Sequence, residues 1–153
     1  MNKNDLLLLV FFSHIGCGAG LSVIDEKKLI IRGSRMYQPK LFKFFGTEKP
    51  YNGIAIKYFE RDGKSIGKEC EGNYKNGRRD GLWAYYYEPV QNIIKEGIKE
   101  AEGPYRIGYR DGYWTYWYPN GIKKEEGEFK YRERIGKWKY YDESGKIIFV
   151  REF

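Results

Sequence analysis

Few side chains in this chain have the types and spacing that catalysis or metal binding requires. His14 is the only histidine, and the two cysteines, Cys17 and Cys70, lack the CxxC spacing of a zinc cluster. The sequence contains no GxSxG nucleophile motif, no glycine-rich phosphate loop and no Cys–His pair. We therefore expect a protein that is not an enzyme, that binds no metal or cofactor, and that has no evident small-molecule substrate.

The carboxylates that recur along the chain are accounted for by an internal repeat. Glu71, Glu102 and Glu126 each open a Glu-Gly-x-aromatic-basic string, at residues 71–75, 102–106 and 126–130. Each glutamate precedes a tryptophan by the same distance (83−71, 114−102 and 138−126 all give 12). Because repetition places these carboxylates, we interpret them as structural strand residues and not as an acid–base pair.

Each copy of the string leads to an aromatic segment that starts with glycine, at residues 81–86, 112–117 and 136–141. Aromatic residues between glycines favour short strands, and Asn120-Gly121 predicts a hairpin turn after the second segment. Each unit is therefore predicted to be a β-hairpin. We expect the fold class to be all-β, with the hairpins pairing into one elongated, antiparallel, single-layer sheet.

Alternation along these strands predicts a row of aromatic rings on one face of the sheet. The row consists of Trp83, Tyr85, Trp114, Tyr116, Trp138 and Tyr140. We expect this face to be packed, with rings lying across the recurrent glycines at positions 72, 103 and 127, and the opposite face to be wetter. The same rings are candidate contact residues, since exposed Trp and Tyr bind proteins and stack on sugars.

The charge balance indicates a soluble surface with a candidate basic edge. The formal net charge is +7, from 28 basic and 21 acidic residues that are mixed throughout. Arginines occur near the turns between units, at Arg78, Arg79, Arg110, Arg132 and Arg134. Such an edge suits anionic lipid. Nucleic acid is not an expected partner, because no sustained basic block is present.

The first residues are typical of an export signal. Lys3 precedes an apolar run at residues 6–12, and small residues follow at 16–20. Ile15-Gly16-Cys17 resembles the end of a bacterial lipobox, in which the cysteine is acylated; ordinary cleavage near Ala19 and a cytosolic protein are the alternatives. The predicted organisation is a signal at residues 1–19, an N-terminal cap at 20–49 and a repeat domain at 50–153.

The repeated units resemble the bacterial variant of the MORN repeat over about residues 29–153. The likeness rests on the Gly-x-Trp-x-Tyr-Tyr strand, the Asn-Gly turn and the Glu-Gly-x-Tyr-Lys return, with Pro50-Tyr51-Asn52-Gly53 as a similar entry. The resemblance implies an elongated sheet of hairpins but no single function. Bacterial members are often labelled antitoxin-like, whereas eukaryotic arrays are associated with membrane attachment and scaffolding.

From these features we expect a non-catalytic module for protein interaction or scaffolding. Export, either as a membrane-anchored lipoprotein or as a periplasmic or extracellular protein, is the expected localisation. The alternatives are an antitoxin-like component of a toxin–antitoxin system, for which an export signal is unfavourable, and a module that binds glycan, cell-wall material or anionic lipid.

Overall fold

A computed structural model of the chain describes residues 23–25, 30–32, 35–37, 50–91 and 93–153. The predicted signal segment and Cys17 lie outside the described residues, so export and lipidation stay predictions. The strands are β1 (Val23–Asp25), β2 (Ile30–Arg32), β3 (Arg35–Tyr37), β4 (Gly53–Arg61), β5 (Lys64–Lys75), β6 (Arg78–Tyr86), β7 (Lys99–Arg106), β8 (Tyr109–Arg110), β9 (Gly112–Trp117), β10 (Lys123–Lys130), β11 (Glu133–Tyr141) and β12 (Ile147–Glu152).

The strands form an open sheet in which neighbours in sequence are neighbours in space. The order is β1-β4-β5-β6-β7-β9-β10-β11-β12, and the short β8 also pairs with β7. All pairings from β4 to β12 are antiparallel, which confirms the predicted all-β sheet of consecutive hairpins. One edge departs from this pattern, because β1 joins β4 in parallel; β2 and β3 form a separate hairpin.

Tight turns with positive φ connect the strands of several hairpins. Asp62-Gly63, Asn76-Gly77 and Ile107-Gly108 each place both residues in the left-handed region, which suits the twist of an antiparallel pair. The turn between β10 and β11 contains no glycine. It is confined to Tyr131-Arg132, with φ values of 48° and 80°, and β11 starts directly after it.

Two of the three glycines expected to start the Trp strands lie inside longer strands, whereas Gly112 starts β9 as expected. Gly81 and Gly136, with φ values of 74° and 61°, stand inside β6 and β11, where the register shifts. A glycine with positive φ at such a shift opens a bulge, after which the strand continues. These two hairpins therefore extend further toward their turns than the positions of Gly81 and Gly136 suggest.

Glycine and tryptophan alternate across the middle of one side of the sheet, which we call the packed face. In register, Gly72 faces Trp83, Trp83 faces Gly103, and Trp114 faces Gly127. Trp83, Trp114 and Trp138 are all 0% exposed. Each indole lies on the glycine of the preceding strand: a Cβ there would stand 2.3 Å from Trp83, 2.3 Å from Trp114 or 2.4 Å from Trp138.

Each buried indole has the same two further contacts. Its Nε1–H donates a hydrogen bond to the backbone carbonyl ten residues earlier, at 3.0 Å (Trp83 to Asn73), 3.1 Å (Trp114 to Pro104) and 3.1 Å (Trp138 to Glu128). The aromatic residue two positions after each glycine packs edge-on, at centroid distances of 5.3 Å (Tyr74–Trp83), 5.4 Å (Tyr105–Trp114) and 5.0 Å (Phe129–Trp138). The three indoles thus share one packing arrangement, and their N–H donors are satisfied.

We predict that Gly127→Ala destabilises the fold by about 2 kcal/mol or more, because the added methyl group has to displace the Trp138 ring. At an uncrowded strand position, replacing glycine by alanine would instead stabilise by about 0.5–1 kcal/mol. Chemical denaturation measures the difference, with Lys130→Ala at an exposed position of the same strand as the control. Equal stability of Gly127→Ala and the wild type would contradict this packing.

Candidate functional site

On the packed face, an arginine covers the outer side of each buried indole. The distances from guanidinium carbon to ring centroid are 4.3 Å (Arg79–Trp83), 4.6 Å (Arg110–Trp114) and 3.9 Å (Arg134–Trp138). Each arginine also donates a hydrogen bond to a tyrosine hydroxyl, at 2.8 Å (Arg79 to Tyr85), 2.9 Å (Arg110 to Tyr116) and 2.7 Å (Arg134 to Tyr140). The indole is therefore held between a glycine backbone and a cation.

Tyr85 and Tyr116, which lie under two of these arginines, are phenols and not phenolates at neutral pH. Burial raises the pKa of Tyr85 and of Tyr116 above the ordinary value, although the neighbouring arginine acts in the opposite direction. A protonated phenol accepts the arginine's hydrogen bond through its oxygen and keeps its own proton for another acceptor. The Tyr85 and Tyr105 hydroxyls accordingly lie 2.9 Å apart.

The aromatic row predicted from the sequence lies on this face, but its indoles are closed to solvent. Tyr85, Tyr116 and Tyr140 are half-buried beside them. A sugar ring cannot reach an indole that is covered on both sides, so the stacking role considered for these tryptophans has no geometric basis on the packed face.

The five arginines predicted to form a basic edge are divided between two places. Arg79, Arg110 and Arg134 belong to the packed face, each four residues before its tryptophan (83−79, 114−110 and 138−134). Arg78 and Arg132 stay at the turns, and the Arg132 guanidinium lies 4.2 Å from the Tyr109 ring. The fixed spacing to tryptophan was the signal in the sequence that could have revealed the covering role.

A groove at the turn edge concentrates positive charge. Lys75, Arg78 and Arg106 line it, together with Asp80. The Nε of Arg78 is buried and has no hydrogen-bond partner in the part of the chain that the structure describes. An anionic oxygen in this groove would satisfy the donor.

The opposite side of the sheet, which we call the open face, exposes large side chains. Leu82 is 61% exposed and Tyr113 is 53% exposed; each stands directly before a buried tryptophan, so its side chain points away from the packed face. A shallow groove runs beside Leu82, and Ala84, Tyr86 and Lys99 contribute to its walls. The open face is therefore both accessible and partly apolar.

The recurrent carboxylates lie on the open face and are held within their own units. Lys68 donates to Glu71 at 2.9 Å, Lys123 donates to Glu126 at 2.8 Å, and Lys99 forms the matching ion pair with Glu102. Two units add a tyrosine hydroxyl at 2.5 Å, from Tyr86 to Glu71 and from Tyr141 to Glu126. In the middle unit Trp117 takes the tyrosine position and offers no such hydroxyl to Glu102.

Glu126 is the most enclosed of these carboxylates, with its side chain 8% exposed. Burial acts to raise its pKa, but the hydrogen bonds from Lys123 and Tyr141 outweigh burial and hold the pKa below the ordinary value of 4.5. The hydrogen bond between Tyr141 and Glu126 also raises the pKa of Tyr141 to about 12. Glu126 is therefore an ionised structural group at neutral pH.

Among the described residues, no group of three or more His, Cys, Asp or Glu side chains is arranged to hold a metal ion. None of the described residues forms a helix with the length and apolarity that a membrane crossing requires. Comparison with family models, with curated proteins and with solved structures gave no significant match.

We predict that Glu126→Gln lowers the free energy of unfolding at pH 7 by about 1–3 kcal/mol, because it removes charge-assisted hydrogen bonds. The pKa of Glu126 is lower in the folded state, so its stabilisation is present above about pH 4.5 and is lost as the pH falls through the folded value. The variant should therefore lose less stability than the wild type on acidification. Thermal melts from pH 7 to pH 2.5 test this.

The matched control is Glu128→Gln, which changes an exposed carboxylate on the same strand. It should melt as the wild type does across the range. If Glu126→Gln and Glu128→Gln have the same melting profile, the ion pair with Lys123 does not stabilise the fold.

Proposed function

We propose that this chain is a non-catalytic protein-interaction module whose partner docks on the open face. The observation that carries the proposal is the exposure of Leu82 and Tyr113, at 61% and 53%, on a face whose carboxylates are already paired. Exposed apolar side chains on a paired, regular sheet mark a contact surface, and tyrosine is enriched in such contacts.

The asymmetry between the two faces supports this choice of surface. On the packed face, neighbouring arginine, tyrosine and glycine residues already cover the indoles, so little aromatic surface is left for a partner. On the open face, the groove beside Leu82 is lined by Ala84 and also by Lys99 and Glu102. Protein-binding sites usually combine apolar and polar groups in this way.

The footprint of the partner should centre on β6 to β9. Leu82 and Tyr113 occupy equivalent positions in two units, whereas Lys137 occupies that position in the third. The open face thus changes from apolar to basic along the array. A partner that covers the first two positions would bury both apolar side chains, and Lys137 would lie at the rim, where a charge costs little.

The resemblance to MORN repeats remains part of the proposal and agrees with a scaffolding role. The proposal also includes export, which rests on the amino-acid sequence of residues 1–19 alone. Protein binding on the open face is compatible with a lipid anchor at Cys17 and with an unanchored, secreted form.

Site-specific photocrosslinking in the native host tests the docking surface. A benzoylphenylalanine at position 113 should give a defined covalent adduct with another protein, because this side chain lies within the expected footprint. The matched control is position 131, whose native tyrosine has nearly the same exposure (55% against 53%) but lies in a turn. Adducts of equal yield at both positions, or none at position 113, would show that the open face is not the docking surface.

A further inference from the structure

The last strand of the sheet presents an apolar and uncovered edge. Ile147, Ile148, Phe149 and Val150 are 48%, 59%, 50% and 51% exposed, and Phe153 beyond the strand is 45% exposed. In the part of the chain that the structure describes, β12 pairs with β11 alone. A long apolar edge of this kind is a template for pairing with another strand.

The hydrogen-bonding pattern shows which backbone groups of β12 point outward. Phe153 exchanges two hydrogen bonds with Gly136, at 3.0 Å and 3.2 Å, so its N–H and C=O face β11. Alternate residues of an antiparallel strand point in opposite directions within the sheet plane. The backbone groups of Val150 and Glu152 therefore point away from β11, toward any incoming strand.

The side chains of β12 do not allow the array to continue with a further unit of the same kind. Arg151 pairs with Trp138 in the register at which Gly103 pairs with Trp83. A following unit would have to lay its tryptophan on this position, where glycine is required and arginine stands instead. The edge is thus closed to another repeat but is open to a strand without a covering tryptophan.

We propose that β12 pairs antiparallel with β12 of a second copy of this chain, about a two-fold axis at Val150. This register joins the outward backbone groups of Val150 to those of the partner's Val150. It also places Phe149 beside the partner's Arg151, so each copy sets an aromatic ring next to a cation of the other.

Other registers that match the outward backbone groups are less favourable. An axis at Arg151 sets the two guanidinium groups directly opposite each other, and like charges at such positions repel. An axis at Phe149 puts Val150 against Ile148, where the pairing with β11 shifts register. The Val150 axis sets no like charges opposite each other and keeps its central pair clear of that shift.

The resulting dimer is a closed, two-fold assembly in which both packed faces lie on the same side of one continuous sheet. The Phe149 ring already stacks on Tyr140, at a centroid distance of 4.3 Å and an interplanar angle of 15°. The aromatic row would therefore run from one copy into the other. This pairing does not depend on partner docking at the open face, which lies elsewhere on the sheet.

Sedimentation equilibrium of the mature protein at rising concentration tests the proposal. The mass should increase to twice that of the monomer, whereas Val150→Pro should remain monomeric, because proline removes the outward N–H without removing a hydrogen bond to β11. Val150→Thr, which keeps the N–H and the branched side chain, is the control and should dimerise as the wild type does. A wild type that stays monomeric, or a Val150→Pro variant that still dimerises, would overturn the proposal.

Disulfide trapping provides a second readout that reports the register. Val150→Cys should form a covalent dimer under mild oxidation, since the axis places the two substituted positions opposite each other; Lys146→Cys, outside the paired segment, should not. Equal trapping at positions 146 and 150 contradicts the register. A monomer in which the Val150 amide resists hydrogen exchange would show that another part of the chain covers the edge, which also refutes the proposal.

Discussion

The contact between an indole ring and a glycine backbone is the interaction on which this structure depends. Within the described residues, the two core clusters contain only side chains of the sheet and of the segment leading into it. Such a sheet has to bury its apolar surface on its own strands, and a ring can lie flat on a strand only where no Cβ intervenes. Glycine at positions 72, 103 and 127 satisfies this requirement in each unit. The arginine above each ring completes its removal from water.

This packing also explains why the two faces and the two ends of the array differ. One face is fully used by internal contacts, which leaves the other available for a partner. At the first unit Ala55 takes the tryptophan position and Tyr51 is buried beside it. At the last strand Arg151 takes the glycine position, so an indole ring cannot pack flat on the backbone there. The two positions that define the repeating contact are therefore substituted at these two strands.

The positions of residues that recur at a fixed spacing could be predicted from the sequence. The positions of residues that depend on distant contacts could not. The spacing of Trp83, Trp114 and Trp138 indicated the sheet and its packed face, because alternation along a strand is a local property. The sequence does not show that Arg79, Arg110 and Arg134 lie on the packed face, since composition reports a charge but not where the charged side chain points. The parallel pairing of β1 was not foreseen, because the partner of a short strand is decided by long-range packing and leaves no local pattern.

Hydrogen exchange of the four indole N–H groups tests the central claim most directly. Trp83, Trp114 and Trp138 each donate to a backbone carbonyl beneath a covering arginine, whereas Trp117 lies on the open face, and its indole has no such bond among the described residues. In a proton–nitrogen correlation spectrum recorded in deuterated water, three indole signals should persist and that of Trp117 should disappear early. If all four indole signals decay at the same rate, the rings are not held between glycine and arginine, and the account is wrong.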